Sequence, residues 1–162
     1  MNNDVRIWDY VVSVLEDALP TFEVSRKYDI LEALTALENQ TGGQVFVCLD
    51  GKDTEAVTPF KVQDTYHFAI FIVKYISAQD TATVIEQMDA MFPMVQQVQD
   101  RFYLRAETIP ADGNTAPAID VKLISGDPDS GELYDLDFFG DSESFLCAMS
   151  AGVVTFREVN RG

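Results

Sequence analysis

Near the N-terminus apolar residues recur at Val5, Trp8, Val11, Val12, Leu15 and Leu19, the three-and-four spacing of an amphipathic helix. Asn3 or Asp4 stands where the helix wants a cap, and Pro20 where it must stop. After an extended piece from Phe22 to Ser25, the helical spacing returns at Asp29, Ile30, Leu31, Leu34 and Leu37, and Gly42-Gly43 closes it. Gln44 to Asp50 is a short apolar, β-branched run that predicts a strand meeting a turn at Asp50-Gly51.

From Thr65 to Ser77 the two alternating sets, Tyr66, Phe68, Ile70, Ile72, Lys74, Ile76 and His67, Ala69, Phe71, Val73, Tyr75, are both largely apolar or aromatic. Such a strand is expected to be central and covered on both faces. A third helix is predicted from Asp80 or Thr81, with Val84, Ile85, Met88, Met91 and Phe92 on its apolar face, Pro93 kinking or ending it, and Met94 to Asp100 offering room for another turn or two. The period then changes to two. Phe102 to Ile109, Ala118 to Ser125, Glu132 to Phe139 and Phe145 to Val159 are extended runs separated by clusters of Gly, Pro, Asp, Asn and Ser. Ala151-Gly152 divides the last run into two strands or places a bulge in it. The element order and the short connections among the later strands predict one α+β domain over residues 1–162, a single mixed and mostly antiparallel sheet with packed helices. Its expected core includes Trp8, Leu15, Phe68, Ile70, Ile72 and Met88.

Charge changes this picture more than composition does. The chain of 162 residues is 47% hydrophobic, enough for a core, but carries 27 acids against 11 Lys and Arg, a net charge of −16. Nonspecific attraction to nucleic acid or to anionic lipid is therefore not expected. No run approaches the roughly 18 apolar residues of a membrane span, and Met1-Asn2-Asn3-Asp4-Val5 does not read as a secretion signal. The expectation is a soluble protein that stays where it is made or is packed into a larger object.

Candidate chemistry is sparse. His67 is the single histidine, which leaves no His-rich metal site and gives it a structural role on its strand. Cys48 and Cys147 sit in apolar runs without Cys-x-x-Cys spacing, as inert core thiols do. Gly126 and Gly131 have Walker-loop spacing, but Glu132 stands where a lysine is needed. Asp127, Asp129, Asp135 and Asp137 resemble a calcium loop only faintly, since the glycine falls at position five and Phe138 occupies position twelve. No nucleophile elbow occurs. The sequence thus predicts no catalytic, cofactor or metal residues, and a protein that is not an enzyme. What stands out is the segment from Ala106 to Phe145, with ten acids to one base, Lys122, a net charge of −9. It is either a solvated face or an anionic surface that mimics DNA or lines a passage for it.

The N-terminal helix ending in Asp17-Ala18-Leu19-Pro20, the hydrophobic strand Tyr66 to Ile76, the helix Thr81 to Phe92 and the acidic strand-rich half ending in Phe145-Leu146-Cys147-Ala148-Met149-Ser150-Ala151-Gly152-Val153-Val154-Thr155-Phe156-Arg157 together resemble the tail-terminator, or tail-completion, proteins of tailed bacteriophages. The likeness is one of size, element order and texture over most of the chain, without a diagnostic motif. It implies an α+β subunit of a hexameric ring that caps the tail tube and joins it to the neck. Its partners would be further copies of itself, tail tube or sheath proteins and neck or connector proteins, with DNA only in transit and no membrane. The location implied is the virion, assembled in the host cytoplasm. Under that reading Asp127, Asp129, Glu132, Asp135 and Asp137 are candidates for an acidic lumen or loop surface. Tyr134, Phe138 and Phe139, aromatic beside charge, are candidates for the subunit interface. The competing expectation is an acidic DNA-mimic inhibitor that binds a basic nucleic-acid-binding protein.

Overall fold

The computed structural model describes residues 3–28, 43–75, 81–103, 105–113, 116–128, 134–139 and 142–159. Helix α1 spans Asn3–Ala18 and buries Ile7, Val11, Val14 and Leu15, a stripe centred slightly off the Val5, Trp8, Val12 line while keeping the predicted period. It closes as expected before Pro20, with the Leu19 amide donating to the Leu15 carbonyl at 2.8 Å. Trp8 is only partly buried, because its indole Nε1 leaves the core to donate to the Val47 carbonyl at 2.9 Å. The helix predicted over Asp29 to Leu37 lies outside the described residues.

Among the described residues seven strands make one sheet: β1 (Glu23–Arg26), β2 (Gly43–Thr58), β3 (Lys61–Tyr75), β4 (Arg105–Ile109), β5 (Ile119–Pro128), β6 (Tyr134–Phe139) and β7 (Ser142–Glu158). Six of them run in the order β1-β2-β3-β7-β5-β4, and β6 joins from the side by pairing with β7. Only β1 with β2 is parallel among these pairs. With α1 and a second helix, α2 (Thr81–Arg101), the architecture is α+β with a mixed sheet, as the sequence predicts.

Two of the strands run on through positions where the sequence suggests a break. Asp50-Gly51 does not turn the chain: Leu49 pairs with Phe68 and Gly51 with His67, so Asp50 is the extra residue of a bulge and β2 runs on to Thr58. A bulge and a turn share the same local residue preferences, and the long partner β3 decides between them. The chain reverses instead at Pro59-Phe60, where the Thr58 hydroxyl accepts from the Phe60 amide at 3.2 Å. Nor does Ala151-Gly152 break β7. The β3–β7 ladder is in continuous register from Lys61 opposite Glu158 to Tyr75 opposite Ser144, about 50 Å at roughly 3.3 Å per residue. Phe102, predicted to start a strand, instead closes the end of α2, its amide donating to the Gln99 carbonyl at 3.2 Å.

Both helices cover the same face of the sheet. Ile7, Val11 and Leu15 of α1 and Met91, Val98 and Phe102 from α2 and its end meet Val45, Val47, Tyr66, Phe68, Ile70, Ile72, Leu123 and Val153. The second face is not fully covered, contrary to expectation: Phe46, Cys48 and Val73 are buried there, but Ala69 and Phe71 are half-buried and His67 is exposed. Apolar alternation records what a strand tolerates on each face, and a partner for the second face is a tertiary matter. Leu15, Phe68, Ile70 and Ile72 belong to the core as predicted, while the side chains of Val84 and Met88 lie outside the described residues.

α2 continues through Pro93 to Arg101. Its buried stripe is Met91, Val95 and Val98, whereas Ile85 and Phe92, placed on the core face from sequence, are 54% and 42% exposed. The predicted apolar face takes in only residues before Pro93, whereas Val95 and Val98 beyond it, with Met91, set the stripe. Pro93 is tolerated because it faces water, so the Asp89 carbonyl it leaves without an intrahelical donor is on the solvated side. Pro93→Ala is expected to raise the free energy of unfolding by about 1–2 kcal/mol, the helix-interior penalty of proline less its effect on the unfolded chain. Urea titration of the two proteins measures it.

Candidate functional site

Those of the sequence-predicted acidic and aromatic residues that the structure describes lie along one edge of one strand, β7. β6 pairs with the start of β7, Tyr134 opposite Phe145, Asp135 opposite Ser144 and Phe139 opposite Ser142, with an irregularity between Asp135 and Phe139 that takes in Asp137 and Phe138. β5 flanks the same edge of β7 further along, and its register slips between Ser125 and Pro128, which places Asp127 in an irregular stretch of the ladder. Asp129 and Glu132 lie outside the described residues. Backbone pairing therefore brings Tyr134, Asp135, Asp137, Phe138 and Phe139 to the Ser142 end of β7 and Asp127 beside its middle, on the same edge.

At the opposite end β2 and β3 form an arm, held from the side by the last residues of β7. From Lys52 to Thr58 every residue of β2 is exposed, and Gly51 just before them is half-buried. Val57, Phe60 and Phe156 expose 51%, 68% and 51% of their surfaces at the tip. The Val159 amide donates to the Phe60 carbonyl at 2.8 Å, and the Lys61 ammonium stands 5.2 Å from the centre of the Phe156 ring, a cation–π contact.

Where the arm leaves the core, a polar junction ties it to the start of α1. The Tyr66 hydroxyl donates to Asp4 Oδ1 at 2.7 Å, and Lys52 Nζ reaches the same oxygen at 3.2 Å while lying 5.3 Å from the Tyr66 ring centre. Asp64 is buried and accepts from Thr54 Oγ1 at 2.6 Å and from Arg157 Nε at 2.6 Å. Burial by itself pushes the Asp64 carboxyl up, but the Thr54 and Arg157 hydrogen bonds and the charges of Arg157 and Lys52 outweigh it and hold it below its ordinary value. Burial, helped by the Asp4 hydrogen bond and charge, pushes the Tyr66 phenol well above its ordinary value. These groups line a cleft of about 450 Å³. Every charge in it has an opposite partner within reach, an arrangement that holds elements together rather than one poised for proton transfer.

A second cleft, of about 580 Å³, opens on the second sheet face, over Ala69, Phe71, Ala148 and Gly152, with Asp50 and His67 at its rim. His67 sits at this rim with its side chain 49% exposed and its Nε2 2.7 Å from Asp53 Oδ2. No sequence signal marked this cleft, because its floor is made by small residues of strands distant in sequence. Cys48 and Cys147 are buried thiols, and burial pushes the Cys147 thiol up, away from reactivity. Among the described residues no three His, Cys, Asp or Glu side chains converge as metal ligands, and no helix is long and apolar enough to cross a membrane.

Compared with known proteins, the chain matches no family model, and no curated protein is found to be similar to it.

Proposed function

We propose that this protein is a structural subunit that assembles with copies of itself into a ring at the end of a tailed-bacteriophage tail tube. The ring would join the tube to the neck or connector, and DNA would pass through its lumen without being bound. The observation that carries the reading is the arm. A monomer has no use for a β2 exposed over seven residues, Lys52 to Thr58, beside the ends of β3 and β7, with Val57, Phe60 and Phe156 exposed at the tip, whereas protruding apolar anchors are what subunit interfaces employ. The acidic residues at the Ser142 end of β7 support it, since a lumen for DNA is best lined with like charge. The DNA-mimic inhibitor accounts for the charge but leaves the apolar tip without a role.

Every copy carries a net charge of −16, so copies repel one another until salt screens them; the Debye length falls from about 10 Å at 0.1 M to about 3 Å at 1 M. Light scattering after size exclusion is expected to show assembly that strengthens as salt rises. Changing Asp127, Asp129 and Asp135 together to Asn is expected to preserve folding, ease assembly and slow DNA ejection from particles carrying the variant. A chain that stays monomeric at every salt concentration and is absent from purified virions would overturn the proposal in favour of the inhibitor.

A further inference from the structure

We infer that the arm tip of one copy seats in the 580 Å³ cleft on the second sheet face of the next, so that Phe60 and its neighbours are the anchor of the subunit contact. The inference rests on the ring reading and names its interface. The cleft and the tip are complementary in chemistry. The floor, made of Ala69, Phe71, Ala148 and Gly152, is apolar and shallow in side-chain bulk, and its volume lies in the roughly 300–1,000 Å³ range of cavities that enclose a drug-sized group, more than one phenyl ring requires. The tip presents Phe60, 68% exposed, with Val57 and Phe156 beside it. Lys61, which lies over Phe156, would meet the acidic rim formed by Asp50 and by Asp53, whose side chain is 82% exposed. Glu158 lies directly opposite Lys61 and shares its face of the sheet, and Glu55 borders the tip; both are exposed, and their repulsion from that rim is what salt must screen.

The occupant of the cleft cannot be the same molecule's tip. Phe60 precedes Lys61 of β3, and Ala69 lies on the same strand, so nine residues of extended chain, about 30 Å, separate knob from cleft. β3 is paired along its whole length with β7 and cannot fold back. A knob and a cleft at different places on one chain make a head-to-tail contact, the kind that closes into a ring when its rotation permits.

The test uses the full chain. Phe60→Asp removes the knob and Ala148→Trp fills the cleft; each alone is expected to weaken self-association at high salt tenfold or more. Mixed together they retain one good tip and one good cleft between them, and are expected to form a dimer that grows no further. Because Ala148→Trp can disturb packing, a second pair of changes leaves the surfaces intact. Phe60→Cys with Ser150→Cys, the latter at the cleft and opposite Ala69, are too far apart within one chain for a disulfide, which needs Cα atoms within about 7 Å. Mild oxidation is expected to give a ladder of cross-linked multimers in non-reducing gels, since Cys48 and Cys147 are buried. If the wild-type assembly forms but neither loses strength with Phe60→Asp nor yields the ladder, the contact is wrong while the ring reading stands. If Ala148→Trp leaves assembly intact yet keeps the protein out of particles, the cleft serves another protein and the inference fails. A chain monomeric under all conditions and missing from virions removes both.

Discussion

Tyr66→Ala is expected to lower the free energy of unfolding by about 3–5 kcal/mol, the cost of deleting a large buried aromatic side chain and leaving a cavity. Tyr66 is 2% exposed and belongs to the main core, yet its hydroxyl also holds Asp4 at the start of α1 at 2.7 Å. Tyr66→Phe separates the two roles. It keeps the ring and loses one hydrogen bond, so its expected cost is about 1 kcal/mol, moderated because Lys52 still engages Asp4. Urea denaturation of the two variants measures both figures; equal losses would mean that the ring contributes nothing beyond its hydroxyl.

Arg157→Met is expected to cost more than Asp64→Asn, although the two residues form one pair. The Asp64 side chain is 2% exposed and that of Arg157 is 49% exposed. Removing the guanidinium leaves a buried carboxylate with only Thr54 for a partner, and an unpaired buried charge is the expensive outcome. Screening at the half-exposed arginine tempers the loss to about 2–3 kcal/mol. That is a fall of roughly 5–10 °C in Tm for a domain of this size. Asp64→Asn retains an acceptor for Thr54 and leaves Arg157 able to turn to water, for a cost of about 1 kcal/mol. The pH dependence follows from the depressed Asp64 value. Between the folded value and the unfolded value near 4 the unfolded chain binds more protons, so stability rises with pH through that window. The contribution of Asp64 is complete above pH about 4 and is lost as pH falls through the folded value. Thermal melts from neutral to acid pH are expected to show a shallower acid limb for Asp64→Asn than for the wild type. Parallel limbs would mean that Asp64 is not held in its charged form by the fold.

None of that junction could be read from the linear chain. Asp4, Lys52, Asp64, Tyr66 and Arg157 come from α1 and three strands, and Asp64 and Arg157 are 93 residues apart. In sequence each looks like an ordinary surface charge or a strand aromatic. Arg6 was hidden in the same way: it is buried among apolar neighbours on α1 and donates to the Pro110 carbonyl at 3.1 Å, a partner 104 residues away.

What the chain by itself determined is the set of features that arise between near neighbours. The three-and-four spacing from Ile7 to Leu15 makes α1 amphipathic, Pro20 ends it, and the alternation through Phe68, Ile70 and Ile72 makes a strand with a committed core face, because helix and strand periods are properties of local backbone geometry. Ordering of helices before a run of short-linked strands likewise fixed the α+β class. The tertiary structure alone decided where strands end and what their second faces meet. Asp50 became a bulge and Gly152 a paired strand residue because β3 offers an unbroken partner for both neighbours, and α2 runs through Pro93 because Met91, Val95 and Val98 are buried against the sheet while the proline faces water. The arm, the polar junction at its root and the open cleft are likewise products of pairing between distant segments. A local pattern sets which conformations are inexpensive, and the free energy that selects among them comes from partners the local pattern does not contain.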